Sequence, residues 1–155
     1  MKQVVLGLTS LLVASSAALA GSVDGSAALA LAALVAEHSP NVKAGDKLLL
    51  EKFLNGRVYS YRKKITVAAS SISCKASNVD ITLHHCDLTF GTKKIATNGR
   101  KAHELYATLA EAGVPPDGAA GSIFEAISNL DCTIDPTEIK QKAGGGAHCT
   151  FDPAK

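Results

Sequence analysis

Two short sequences, His84-His85-Cys86 and His148-Cys149, place histidine directly before cysteine. Reduced cysteine and neutral histidine are the side chains that zinc prefers in proteins. A metal-binding or redox protein is therefore one hypothesis, with His84, His85 and His148 as candidate metal ligands and Cys86 and Cys149 acting with them if their thiols are free. The chain contains no C-x₂-C pair, so its spacing differs from that of known zinc sites. No resident cofactor is predicted.

The N-terminus suggests a different role for the cysteines. Residues 1–20 begin with Met-Lys and continue as an apolar run that ends in Ala18-Leu19-Ala20, an A-x-A cleavage pattern. This pattern predicts a secretory signal peptide over residues 1–20 and a secreted or periplasmic protein, although residues 28–30 also fit a cleavage site. An uncleaved anchor is the alternative, but the run is short and contains glycine and serine.

Four cysteines in an exported chain predict two disulfides, for which three pairings exist. The simplest pairing is local and joins Cys74 to Cys86 and Cys132 to Cys149. The second pair would face each other across a loop, whereas the first is less symmetric about the turn expected at 77–78. The sequence therefore leaves the pairing open. Each bridge would contribute about 3 kcal/mol in the chain-entropy model.

No motif of a known enzyme occurs in the sequence. It contains no G-x-S-x-G, no H-E-x-x-H and no C-x-x-C. His103-Glu104 lacks the second histidine of a zinc protease. The three glycines at 144–146 lack the lysine and hydroxyl of a phosphate-binding loop. A non-enzymatic protein is therefore predicted, and a small hydrolase is kept as an alternative without a motif.

Charge is distributed unevenly along the chain. Residues 39–101 contain 12 basic and 4 acidic residues, whereas residues 102–155 contain 3 basic and 8 acidic ones. Eight basic residues near predicted strand ends and turns are candidates for one docking edge toward an acidic protein or an anionic envelope surface: Arg57, Arg62, Lys63, Lys64, Lys93, Lys94, Arg100 and Lys101. Alternatively, these basic residues block edge-to-edge strand association, or the basic part (39–101) and the acidic part (102–155) attract each other. Nucleic acid is not expected as a partner.

Hydrophobic periodicity predicts four helices, at 26–38, 47–54, 100–112 and 118–130. It predicts strands at 57–61, 65–74, 79–90, 93–97, 130–134 and 147–151. Val79, Ile81 and Leu83 are expected on one buried face of a strand. The change of phase after them predicts a β-bulge at 84–85.

These elements predict an α+β fold in which an antiparallel sheet, a meander plus a C-terminal hairpin, packs against helices and is stabilised by disulfides. Residues 21–155 would form a single small domain, with two helix-helix-strand lobes, 26–97 and 98–152, as an option. The tandem layout resembles that of secreted inhibitory proteins such as the β-lactamase inhibitory protein. We therefore expect an exported, non-enzymatic, inhibitor-like protein that binds through its sheet face or basic edge, with no transmembrane segment after signal cleavage.

Overall fold

A computed structural model describes residues 21–57, 63–113, 117–119, 122–138 and 146–153. The predicted signal peptide, Arg62 and most of the predicted strand at 57–61 lie outside these ranges. The described helices are α1 (Gly25–His38), α2 (Ala44–Leu54) and α3 (Gly99–Glu111). The described strands are β1 (Gly21–Asp24), β2 (Ile65–Ser77), β3 (His85–Phe90), β4 (Lys93–Asn98), β5 (Asp117–Ala119), β6 (Ser122–Ile134) and β7 (Ala147–Pro153).

The described strands form one antiparallel sheet in the order β1-β7-β6-β2-β3-β4, and β5 pairs with β6. Strands β2, β3 and β4 form the predicted meander, and β6 with β7 forms the predicted C-terminal hairpin. The α+β fold is confirmed. The long pairing of β2 with β6, from Ile65↔Ile134 to Ser77↔Ser122, joins the meander to the hairpin.

The core lies between the sheet and helices α1 and α3. Helix α1 directs three alanines at the core alongside Leu31 and Val35, and the small side chains let the helix backbone approach closely. Helix α3 shows the predicted apolar stripe. Burying each leucine contributes about 1.5 to 3 kcal/mol. The inward residues of the two helices are Ala28, Leu31, Ala32, Val35, Ala36, Ala102, Leu105 and Leu109.

The other face of the sheet is mostly polar where its side chains are described. Thr66, Lys75, Asp131 and Thr150 are exposed there, alternating with buried neighbours on the same strands. An antiparallel sheet covered by helices on one side shows this alternation of buried and exposed residues.

The predicted helix at 118–130 is wrong, because this stretch contributes to β5 and β6. Its apolar spacing was misleading for a local reason. The pairing of β6 with β7 shifts register between Ser128 and Asp131, and Asn129 has a positive φ of 50°. The irregularity moves the inward face from Ile127 to Leu130, which are three residues apart. A strand with a bulge therefore has the spacing of a helix. In the described part of the second half, helix α3 is followed by the strands β5, β6 and β7 rather than by a second helix.

Both local disulfides are formed, Cys74–Cys86 and Cys132–Cys149. Each joins residues directly opposite each other, on β2 and β3 or on β6 and β7. All four cysteines are fully buried. Cys74 and Cys86 lie at unequal distances from residues 77–78 along the chain because residues 78–84, rather than a two-residue turn, join β2 to β3. Bridged sulfurs are not thiolates, so none of the four can act as a zinc ligand in this state.

Candidate functional site

The connection between β2 and β3, residues 78–84, exposes three large apolar side chains. Val79 is 88 % exposed, Ile81 45 % and Leu83 63 %. The prediction that these residues form the buried face of a strand is therefore wrong. They lie in a loop that contains a 3₁₀ turn, Ile81–Leu83, and β3 begins only at His85, where the bulge was expected. We call residues 78–84 the apolar loop.

Short polar side chains impose the shape of the apolar loop. The Ser77 hydroxyl accepts a hydrogen bond from the Val79 backbone N–H at 3.2 Å. The Asp80 carboxylate accepts one from the Thr82 backbone N–H at 2.8 Å and so caps the 3₁₀ turn. Serine and aspartate commonly replace strand hydrogen bonds with such local ones. These local hydrogen bonds form a turn where the alternating apolar pattern predicted a strand, and they hold the loop in shape.

The Asp80 carboxylate is exposed and ionised at neutral pH. Hydrogen bonds from the backbone and side chain of Thr82 hold the pKa of the Asp80 carboxyl below its ordinary value of 3.8, and the nearby His84 lowers it further. A hydrogen bond to the charged form of an acid always acts in this direction. The apolar loop therefore carries one fixed negative charge between Val79 and Ile81.

The buried imidazole of His84 links the apolar loop to the end of β2 and to α3. His84 is only 5 % exposed, and its Nε2 lies 3.0 Å from the carbonyl oxygen of Ser77. A carbonyl only accepts, so His84 Nε2 carries the proton and Nδ1 of the neutral ring is an acceptor. His84 Nδ1 lies 3.2 Å from His103 Nδ1 on α3. Because His84 Nδ1 accepts, His103 Nδ1 is the donor of this hydrogen bond. Tyr106 packs edge-on against His84 with ring centroids 6.1 Å apart.

Sequence reasoning missed His103. The residue lies beside Ala102 and three positions before Tyr106 on α3, so helical spacing places His103 and Tyr106 on the same side of the helix. No signal in the sequence links this side to His84, because the contact depends on how α3 packs against the start of β3. The position of α3 is anchored there by the Gly99 backbone N–H, which donates to the His84 carbonyl at 2.9 Å.

The three histidines proposed as metal ligands are not brought together. His85 Nδ1 lies 2.6 Å from the Asn98 side-chain oxygen, on the neighbouring strand β4. His148 Nδ1 lies 2.6 Å from Asp24 Oδ1 on β1. Strands β3 and β7 are separated by β2 and β6, which puts their axes about 14 Å apart. Within the described ranges, no group of three or more His, Cys, Asp or Glu residues is arranged to hold a metal ion.

The first members of the predicted basic edge lie just before β2. Lys63 Nζ is 3.1 Å from Asp46 Oδ2, and Lys64 Nζ is 3.5 Å from Asp135 Oδ2. Arg57 is exposed after α2. The carboxylates next to Lys63 and Lys64 offset part of their positive charge.

The remaining basic residues lie at the two ends of β4. Lys93 and Lys94 begin the strand, and Lys94 pairs with Asp87 at 3.2 Å. Arg100 and Lys101 follow its other end, about 20 Å away along the strand. Arg100 pairs with Glu104 at 3.3 Å, and Lys101 pairs with Glu37 on α1. The described basic residues thus lie in separate groups.

A groove of about 440 Å³ lies between α1, α2 and the start of α3. Apolar and charged side chains both line it, and two of its leucines are about half exposed, Leu48 and Leu54. Lys47 donates to the Glu37 carbonyl at 3.0 Å across this groove. The groove is a concave feature separate from the apolar loop.

In comparisons with protein-family models, with curated proteins and with solved structures, nothing matches this chain. The resemblance of its layout to secreted inhibitory proteins therefore stays an expectation. Within the part of the chain that the structure describes, no helix has the length and apolar character needed to cross a bilayer.

Proposed function

We propose that this chain is an exported, disulfide-stabilised, non-enzymatic protein that binds a partner protein by placing the apolar loop in an apolar cleft of that partner. One observation carries the proposal: Val79, Ile81 and Leu83 are exposed together on a loop that local hydrogen bonds hold in shape. Single exposed apolar residues are common on protein surfaces, whereas a contiguous group typically marks an interaction site.

The fixed shape of the loop favours tight binding. Ordering a flexible loop on association costs free energy, and a loop that is already ordered avoids much of this cost. The Ser77, Asp80 and His84 hydrogen bonds hold the loop from within, and the Cys74–Cys86 bridge closes its base. Burying an apolar side chain contributes about 1.5 to 3 kcal/mol, so three of them would form the centre of a small interface.

The charge on the loop favours a protein over a lipid surface as the partner. Asp80 stands between Val79 and Ile81, and its lowered pKa keeps it ionised at neutral pH. An ionised carboxylate opposes insertion into a bilayer, and more so into one with anionic headgroups. In a protein complex, the same carboxylate can stay at the wet rim of the interface.

The disulfides support an exported location. Disulfides form and persist outside the cytosol, and this chain has two. Together with the A-x-A pattern at residues 18–20, they support the proposal that residues 1–20 are removed on export. The intact mass of protein from its native secreting cells tests this step. We expect the mass of residues 21–155 less four hydrogens, and a retained first segment or four free thiols would contradict export.

The binding proposal is tested by cross-linking the purified protein to the extracellular and envelope fractions of those cells. The variant carries Val79→Asp and Leu83→Asp, and the control carries Leu48→Asp and Leu54→Asp in the groove. We expect one specific partner to be recovered with the wild type and with the control, and recovery to fall at least about tenfold with the loop variant, since charges replace two apolar side chains that the complex would bury. Equal recovery with both variants would exclude the loop as the docking surface.

Two further measurements separate the alternatives to a protein partner. In the first, the wild type is sedimented with anionic phospholipid vesicles, and vesicle binding that the loop variant loses would assign the loop to lipid. In the second, Lys63, Lys64, Lys93 and Lys94 are changed to glutamate. If this change abolishes partner binding at low salt while the loop variant does not, the basic groups carry the function.

A further inference from the structure

We propose that His84 and His103 form a two-histidine site for Zn²⁺ at the junction of β3 and α3. The site differs from the histidine and cysteine sets that the sequence suggested, and it does not depend on the partner proposed for the apolar loop. The observation that carries it is the approach of two imidazole nitrogens from different elements, His84 Nδ1 and His103 Nδ1, at 3.2 Å.

The distance between the two nitrogens fits a zinc ion. Zinc in proteins is usually tetrahedral, with Zn–N bonds of about 2.0 to 2.1 Å, which places two ligand nitrogens about 3.3 Å apart. Adjacent nitrogens around a square-planar ion with bonds of the same length would be about 2.9 Å apart, as copper prefers. The observed 3.2 Å is closer to the tetrahedral value. The separation is therefore compatible with two ligands of one tetrahedral zinc ion, and zinc is the ion that we propose.

The surroundings of His84 already have the form found around zinc ligands. A ligating histidine normally donates its other ring N–H to a backbone carbonyl or a carboxylate, which fixes the tautomer. His84 Nε2 donates in this way to the Ser77 carbonyl at 3.0 Å, so its Nδ1 presents a lone pair toward His103. Neutral His103 needs only to carry its proton on Nε2 for its Nδ1 to become the second ligand.

Rigid elements hold both rings, and one carboxylate lies near His84. His84 directly precedes β3, two residues before the bridged Cys86, and His103 lies in the second turn of α3. The Asp80 carboxylate is close enough to interact electrostatically with His84. His103 is only half-buried, which gives an ion a path from solvent.

The protein would supply two ligands, and water would fill the other two positions. Within the described ranges no further His, Cys, Asp or Glu completes a group of three with them. We therefore expect exchangeable zinc rather than the permanent ion of a four-ligand structural site. Bound zinc would replace the hydrogen bond between the rings and link α3 to the base of the apolar loop.

Calorimetric titration of ZnCl₂ into the mature, disulfide-intact and tag-free protein near neutral pH tests the site. We expect one zinc per chain in the wild type and affinity at least about tenfold weaker in His103→Gln, because one of two protein ligands is lost. His85→Gln and His148→Gln are matched controls and should bind as the wild type does. Absence of binding up to about 1 mM zinc, or unchanged affinity in His103→Gln, would overturn the proposal.

A measurement on the wild type alone guards against a variant that fails to fold. Histidine ring nitrogens are observed by NMR during the zinc titration. The Nδ1 signals of His84 and His103 should shift together along one saturating curve that fits a single site, while the signals of His38, His85 and His148 stay in place. Zinc-dependent shifts confined to those three histidines would refute the site.

Discussion

His84 Nε2 donates a hydrogen bond of 3.0 Å to the carbonyl oxygen of Ser77, the last residue of β2. The bond closes the apolar loop across its base, because His84 directly precedes β3. The other nitrogen of the same ring meets His103 on α3. One buried side chain therefore connects the loop to the sheet and to a helix.

Replacing His84 by leucine should destabilise the protein by about 1 to 3 kcal/mol, because the partly buried Ser77 carbonyl loses its donor. Urea unfolding measures the change, and amide exchange should become faster in residues 78–83. His85→Leu is the control. His85 is only partly buried and bonds to Asn98 at the edge of the sheet, so its loss should change stability by less than about 0.5 kcal/mol. Similar losses in both variants would show that the His84 bond has no special role.

The apolar loop should loosen in acid as Asp80 becomes protonated. The pKa of Asp80 in the folded protein is below 3.8, so its carboxylate stabilises the turn above that value, and the contribution disappears as the pH falls through the folded pKa. The Thr82 amide proton, which donates to Asp80, should report this titration by NMR. Asp80→Asn should remove it, and the same titration curve in that variant would assign the effect to another group.

The two disulfides should differ in their effect on the apolar loop. Replacing either pair by alanine should cost about 2 to 5 kcal/mol of unfolding free energy. Only loss of Cys74–Cys86, which closes the base of the loop, should also increase amide exchange in residues 78–84. The variant without Cys132–Cys149 is the matched control. If that variant loosens the loop equally, general loss of stability rather than local bracing would explain both results.

Stability should fall in mildly acidic solution because of His38. Burial, and to a lesser extent the Lys47 charge, hold the pKa of His38 below its ordinary value of 6.5. The unfolded chain then takes up the proton first, so the stabilising contribution is complete above pH 6.5 and is lost as the pH falls through the folded pKa. Denaturant unfolding of the wild type and His38→Gln, at about pH 7.5 and about pH 5.5, measures this. The variant should lose less stability between the two pH values, and an equal loss would contradict this role for His38.

The sequence correctly predicted the elements whose hydrophobic pattern is contained within a single helix, strand or hairpin. Helices α1 and α3 follow from apolar spacing and from their stops, and the strands of β3 and β7 around Cys86 and Cys149 follow from alternation. The two predicted disulfides are formed, in the local pairing that the sequence offered as the simplest but left open, and each joins adjacent antiparallel strands. These features depend on neighbours within one element or one hairpin, which a single sequence displays.

The wrong predictions come from hydrogen bonds and contacts that the hydrophobic pattern does not encode. Alternation at Val79, Ile81 and Leu83 predicted a strand, but the Ser77 and Asp80 side chains cap a turn there instead. At residues 118–130, an irregularity at Asn129 gave a strand the spacing of a helix. The contact between His84 and His103 depends on tertiary packing, so the sequence could not reveal it.

The placement of the disulfides bears on how the protein would respond to mechanical force. Each bridge closes a short segment, with sequence separations of 12 and 17, and the long pairing of β2 with β6 contains no bridge. Strand β1 pairs with β7, so the two ends of the described chain lie side by side. Tension applied to these ends would unzip β1 from β7 first. The apolar loop lies inside the segment closed by Cys74–Cys86, so it would carry none of the load even after the β2–β6 pairing had separated.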